Sequence, residues 1–317
     1  MILDSAFRDW ILGAVVAESS AHTDQKIQIE FLDTARFRHL LRFIYRRYFK
    51  KIKLEADDLI INQKTFLFLV NSNLIEKKSI PNLRCHYTHD NEEFLVKSGL
   101  IDLMRDLKEI LVLNKADSDF LQNLGIERSK ISVIYGAINR QLFHPANAFK
   151  ENREVFISGD AKGRKNPYKI IELINACPDM KFVICGRFWG NLIKGSKLRF
   201  DNVSLYDFNL ELNAALIRQA SVFLTLSYQE GGPFPVLEAL ASGTPVVATP
   251  VGWVPELVDS SKGIIVAQDS SIDEIREAIE KCFEIKKSVW SKDLLEGRFS
   301  WEELAMKLYE KSTVGNR

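Results

Sequence analysis

A chain of 317 residues is long enough for about two domains, each with its own core. With 46% apolar residues, 27% charged residues and a net charge of +1, it reads as an ordinary globular protein, and charge gives no whole-chain reason to expect nucleic acid as a partner. Cys85, Cys177, Cys185 and Cys282 lack CxxC spacing, which suits reduced thiols of a cytosolic protein and argues against a thiolate metal site. No run reaches the ~18 apolar residues of a membrane span and no basic segment precedes an apolar one at the start, so neither a spanning helix nor a signal peptide is expected.

In chain order, Met1–Asp4 is at most a short strand, and Ile27–Leu32 alternates apolar and polar residues as a strand does. From Arg36 to Lys53 there are eight basic residues and no acid, interleaved with Phe37, Phe43, Tyr45, Tyr48 and Phe49. Two readings stand side by side: a solvated amphipathic helix with Leu40, Phe43 and Ile44 turned inward, or a helix lying on an anionic membrane leaflet. Nucleic acid is the weakest alternative, because no recognisable binding module surrounds the segment. Phe66–Val70 is an apolar run compatible with a strand end or a short helix. Arg84–Glu92 carries two histidines at the expected end of a strand, and alternation leaves His89 in the loop beyond, where ligands bind. A capping or core histidine is the bland alternative there. Ile110–Leu113 and Ile131–Ile134 read as buried strands, and Asp117-Ser-Asp119, at the start of the intervening helix, reads as N-terminal capping rather than a metal motif.

The alternation of strand and helix restarts with a strand at Val155–Ser158, a helix at Pro167–Ala176 and a strand at Phe182–Cys185. Val203–Leu205 follows as a short strand. Ser221–Leu226 is apolar and β-forming; after it come the loop Gln229–Phe234, a helix opened by Pro235 and stopped by Gly243, and a further buried strand at Thr244–Thr249. A helix starts at Pro255, Gly263–Val266 is a strand, and helices are expected over Ser271–Phe283 and from Trp301 onward. In an open parallel sheet, ligands bind where loops leave the carboxyl ends of strands, and a helix N-terminus there attracts anions. Gly231 and Gly232 would let the backbone approach such a ligand, while Glu230 and Glu238 suit hydroxyl groups better than phosphates. An anion cradle beside hydroxyl acceptors describes a nucleotide sugar.

Glu230 and Glu238, separated by seven residues and followed by Ala-Leu-Ala-Ser-Gly-Thr-Pro-Val-Val-Ala, resemble the signature of retaining glycosyltransferases of family 4. The resemblance implies the GT-B fold: two Rossmann-like parallel-sheet domains facing across a cleft. Residues 1–150 would bind the acceptor, residues 151–300 the nucleotide sugar, and a helix from about 301 to 317 would pack back on the first domain. It implies that Glu230 contacts the donor sugar and Glu238 the ribose, with Gly231, Gly232, Pro233 and Phe234 around the phosphates. Lys165 matches the family's phosphate-clamping lysine, and His89 its histidine near the donor sugar and acceptor. Tyr206–Phe208 would lie near the base, and Trp301 matches the aromatic that anchors the last helix.

Two departures stand out. Ser5–Asp9 replaces the glycine pair of the first loop, leaving only Arg8 and Asp9 as candidates there, and Asp160 occupies the place of a phosphate-binding arginine. Arg164, Lys162 or Arg187 must fill that gap, or the donor carries less phosphate charge. The reaction implied is transfer of a hexose-type sugar to a glycan or lipid-linked acceptor in cell-surface polysaccharide, lipopolysaccharide or glycolipid synthesis, with no metal or other cofactor. The setting expected is the cytoplasm, with peripheral contact at the inner membrane face under the second reading of Arg36–Lys53. A nucleotide-sugar epimerase and a non-catalytic partner subunit share the fold and remain open on sequence alone. A dinucleotide oxidoreductase is disfavoured, since no GxGxxG follows a strand.

Overall fold

The computed structural model describes residues 2–4, 30–32, 60–71, 77–87, 89, 92–146, 153–195, 201–285, 299–300 and 303–304. Arg8, Asp9, the basic segment 36–53 and Trp301 lie outside them. The chain divides into two compact units, Met1–Ala137 with Ser300–Arg317, and Ile138–Phe299. The division therefore falls ahead of residue 150. The Ile138 N–H donates to the Phe299 carbonyl, and Arg218 donates to the Leu142 carbonyl, so the segment after Ala137 is tied into the second unit.

In the first unit, β1 (Ile2–Asp4) pairs in parallel with β2 (Glu30–Leu32). A second parallel sheet runs β3 (Ile60–Asn62), β4 (Arg84–His86), β5 (Glu109–Val112), β6 (Ile131–Val133). The run around Phe66 is helical, within Gln63–Asn71. Phe66 and Val70, one helical turn apart, are both buried, so two points of contact on one face decide what periodicity over five apolar residues could not.

In the second unit, β7 (Glu154–Ser158), β8 (Lys181–Cys185), β9 (Val203–Tyr206), β10 (Val222–Thr225), β11 (Val246–Ala248) and β12 (Gly263–Ile265) form one parallel sheet in the order β12-β11-β10-β7-β8-β9. Every residue of β7, β10 and β11 is buried, the pattern of strands covered by helices on both faces. The chain winds outward from β7 to β8 and β9 on one side and from β10 to β11 and β12 on the other. The order therefore reverses between β7 and β10, which makes the crevice above their carboxyl ends the switch point where ligands bind in such sheets.

The four cysteines are free and buried. Burial pushes their thiols upward, Cys282 to about 12.

Candidate active site

Two loops meet at the switch point of the second unit. The loop after β7 carries Gly159, Asp160, Arg164 and Lys165 into the helix Pro167–Ala176, and the loop after β10 carries Ser227 to Pro233 into the helix Phe234–Ala241. They are tied directly, since the Tyr228 N–H donates to the Arg164 carbonyl at 2.8 Å. The far side of the second loop is held by Thr249, whose hydroxyl donates to the Ser227 carbonyl at 2.6 Å, and by Gln268, which donates to the Tyr228 carbonyl at 2.9 Å.

Between these loops both cations meet one carboxylate. Lys165 Nζ lies 2.6 Å from Glu230 Oε1, and Arg164 pairs with Glu230 Oε2. Ser227 Oγ donates to Oε1 at 3.1 Å. Burial alone would raise the Glu230 carboxyl, but Lys165 and Arg164 outweigh it and hold it below the usual glutamate range. The Glu230 and Lys165 side chains are 9% and 14% exposed, against 38% for Arg164, so the lysine pair is the better shielded from solvent and salt.

Glu238, one turn inside its helix, is governed by the opposite balance. Burial pushes its carboxyl up to about 7, against hydrogen bonding from Asn213 and the field of Lys165. Asn213 Nδ2 donates to Glu238 Oε2 at 3.2 Å, and Asn213 Oδ1 accepts from Ser158 Oγ at 2.7 Å. Sequence reasoning singled out neither Asn213 nor Ser158. Asn213 sits on the helix Leu210–Gln219, itself unanticipated, whose buried side includes a polar residue where the apolar period expects a hydrophobe.

Asp160 does not stand against the cation cluster. It accepts from Arg187 through the backbone N–H at 3.1 Å, Nε at 3.2 Å and Nη2 at 2.8 Å, with Lys162 Nζ at 3.7 Å. Burial works against its ionisation, and the contacts from Arg187 and Lys162 more than compensate, so the carboxyl is held low. Of the three cations that could replace the expected arginine, Arg187 and Lys162 therefore face Asp160, and Arg164 stands with Lys165. The loops after β7 and β8 are also zipped together. Gly159 N–H donates to the Cys185 carbonyl, Ala161 N–H to the Arg187 carbonyl, and Trp189 Nε1 to the Gly159 carbonyl at 2.8 Å. Gly186 makes this approach possible, for a Cβ there would lie 2.2 Å from the Gly159 oxygen.

The glycine loop is shaped by packing as well. A Cβ on Gly232 would fall 2.4 Å from the Trp253 indole, which is fully buried and meets Phe234 edge-on at 5.3 Å. Pro233 and Pro235 have no N–H, and the Phe234 N–H already donates to the Gly232 carbonyl at 2.9 Å. The helix end thus presents fewer donors than a glycine-rich loop suggests, and positive charge at the site comes mainly from side chains.

In the first unit, His89 Nδ1 is 2.6 Å from Asp117 Oδ1, and its ring meets Phe120 at 5.6 Å. The N-cap of the helix Lys115–Asn123 is Asn114, whose side chain accepts from the Asp117 N–H and donates to Asp117 Oδ2 at 2.8 Å. Asp117 therefore does more than complement a helix end: its buried carboxylate orients His89. Among the described residues no group of three or more potential ligands could hold a metal ion.

Residues 139–290 match the family described as glycosyl transferases group 1. This part of the chain is a group 1 domain. It contains the entire cluster of Arg164, Lys165, Glu230 and Glu238. Among curated relatives, the MMP alpha-(1->4)-mannosyltransferase of Mycolicibacterium hassiacum is 29% identical over 166 residues, which are 49% of this chain and 40% of that protein. The lipopolysaccharide glucosyltransferase WaaG of Escherichia coli is 22% identical over 200 residues, 56% of this chain and 53% of that protein. The chain thus matches about half the length of these relatives or less. Among solved structures, Anabaena HepE in complex with UDP-glucose aligns with a TM-score of 0.70 over 98% of both chains at 15% identity. At that identity the likeness shows the fold, which is GT-B, with the group 1 domain as its second α/β unit.

Proposed function

We propose that this protein is a retaining glycosyltransferase that moves a sugar from a nucleotide-sugar donor to a glycan or lipid-linked acceptor in the assembly of cell-surface polysaccharide, lipopolysaccharide or glycolipid. One observation carries the reading: Lys165 and Arg164 converge on Glu230 at the β7/β10 switch point, with Glu238 on the adjoining helix. A donor diphosphate would compete with Glu230 for the two cations. As the bond from the sugar C1 to the phosphate oxygen breaks, negative charge grows on the leaving diphosphate. Lys165 and Arg164 are placed to stabilise it. Glu230, released from the cations, accepts from sugar hydroxyls, and Glu238 accepts from the ribose diol. The group 1 match and the named transferase relatives support this class, and HepE, solved with UDP-glucose, supports a UDP-sugar as the first donor to try.

The two cations supply the charge that a metal supplies elsewhere, so the reading assigns no metal. It assigns no carboxylate nucleophile either, and retention follows from departure and attack on one face of the sugar. His89, oriented by Asp117, is assigned to the donor sugar and acceptor. Among the described residues no helix is long and apolar enough to cross a membrane. A lipid-linked acceptor would instead be reached from the cytoplasmic face through the basic, aromatic segment 36–53. A thermal-shift panel of nucleotides and nucleotide sugars tests the core of the proposal. Specific ligands should raise the unfolding temperature by mass action, and a flat response across the panel would overturn the donor assignment.

A further inference from the structure

The carboxyl of Glu238 is supported by a two-step chain of hydrogen bonds that no part of the donor reading requires. Ser158, the last residue of β7, donates through Oγ to Asn213 Oδ1 at 2.7 Å. Asn213 is fully buried, and with its oxygen engaged by a hydroxyl its amide nitrogen is the end that faces Glu238 Oε2, at 3.2 Å. A buried primary amide is costly to leave unmatched, so both its ends are fixed by partners that are themselves fixed in the sheet and a helix. Among the described residues, no side chain or backbone donor reaches Glu238 Oε1.

We propose that Asn213, locked by Ser158, is a positioning residue that holds one oxygen of Glu238 and thereby presents the other to a vicinal diol of the ligand. The proposal deepens the nucleotide-sugar reading and rests on it for the identity of that diol, a ribose. An amide donor is suited to this place. It hydrogen-bonds the carboxylate and favours its ionised form without adding a cation beside Lys165, which a lysine or arginine there would do.

The surroundings leave few other controls on the carboxyl. Its own helix, Phe234–Ala241, carries no second charged residue, and β10 and β11 carry none. The helix Leu210–Gln219 carries Glu211 and Arg218 besides Asn213, and Arg218 is engaged with the Leu142 carbonyl. Lys165 is the charged group that acts on Glu238, in the direction of ionisation. Removing Asn213 should therefore shift the carboxyl further towards its protonated form.

The test uses the full chain with carbon-13 at the glutamate carboxyls, assigning the Glu238 signal by its loss in Glu238→Gln and following its titration without added nucleotide. Asn213→Leu, which keeps the branched shape while adding bulk and removing both polar ends, should move the Glu238 midpoint to higher pH, and Ser158→Ala, which frees the amide to turn, should move it the same way by less. If Asn213→Leu does not fold, Ser158→Ala carries the comparison alone. An unchanged midpoint in the folded variant overturns the proposal, whatever the ligand.

The second readout is calorimetry at neutral pH with UDP, GDP and ADP, each against its 2′,3′-dideoxy form. The wild type should prefer the natural form of its best nucleotide by about tenfold, the scale of one lost charge-assisted hydrogen bond, and Asn213→Leu should lose most of that preference. A preference retained in Asn213→Leu also overturns the proposal. If no nucleotide binds the wild type, the donor reading fails, while the carboxyl titration still decides whether Asn213 controls Glu238.

Discussion

Lys165 Nζ sits 2.6 Å from Glu230 Oε1, so the chain's own carboxylate occupies the cation that a phosphate would seek. Glu230→Gln should therefore separate binding from chemistry. With the competing charge removed, a bare nucleoside diphosphate should bind about three- to tenfold more tightly, while turnover falls about a hundredfold through loss of the sugar contact proposed for Glu230. Calorimetry beside initial-rate kinetics checks the pair. Weaker nucleotide binding in this variant would mean that Glu230 does not compete for the cations.

Lys165→Ala removes the better buried of the two cations. Its expected effect is a loss of about 2–4 kcal/mol of transition-state stabilisation, read from the ratio of kcat/KM values. Arg164→Ala should cost less, because that side chain is 38% exposed and more strongly screened. The reverse order would transfer the main electrostatic role to Arg164.

The two glutamates should leave opposite signatures on stability as a function of pH. Glu230 is held low, so its contribution is complete above the unfolded-state value and is lost as pH falls through the folded-state one. Glu238 is raised from 4.5 to about 7, so the folded state keeps a proton that the unfolded state has released, and stability falls as pH rises through that window. Glu238→Gln should abolish this decline, worth at most about 3 kcal/mol, and should be the more stable protein above neutrality. Denaturant midpoints from pH 5 to 8 measure it; parallel curves for wild type and variant would contradict a perturbed Glu238.

Gly232→Ala should destabilise the second unit rather than act on ligand directly. Its Cβ would press on a fully buried indole, with an expected loss of about 1–3 kcal/mol. Thermal unfolding reports this, and wild-type stability would show that Trp253 can shift.

The basic segment 36–53 predicts salt-sensitive sedimentation with anionic vesicles at about 1 kcal/mol per engaged cation. Neutralising Arg46, Arg47, Lys50 and Lys51 together should release the protein while leaving turnover of a short soluble acceptor nearly intact. Wild-type protein that stays in the supernatant at low salt would return the segment to a solvated face.

The second unit was the more legible half of the chain because its strands announce themselves. The apolar runs at Val155, Phe182, Ser221 and Thr244 correspond to β7, β8, β10 and β11, and the helix expected from Pro167 spans Pro167–Ala176. The loop-and-helix pattern reached Glu230 and Glu238, and the family resemblance Lys165, but not their ionisation: Lys165 and Arg164, distant in sequence, hold Glu230 low, whereas burial raises Glu238 against its partners. Asp160 illustrates the limit. In sequence it is a misplaced charge beside a phosphate site, and only the return of the chain at Arg187, 27 residues on, turns it into a paired one. Asn213 left no signal, because a polar residue inside an amphipathic helix looks like an interruption of the pattern.

The buried cysteines give each unit a chemical clock. Thiolates attack alkylating reagents, and burial both shields these sulfurs and keeps them protonated, so modification must wait for the surrounding structure to open. Cys85 lies in the first unit, whereas Cys177, Cys185 and Cys282 lie in the second. The rates at which a maleimide captures these positions, resolved by peptide mass, would measure the opening of the two halves of one chain separately, with no introduced label.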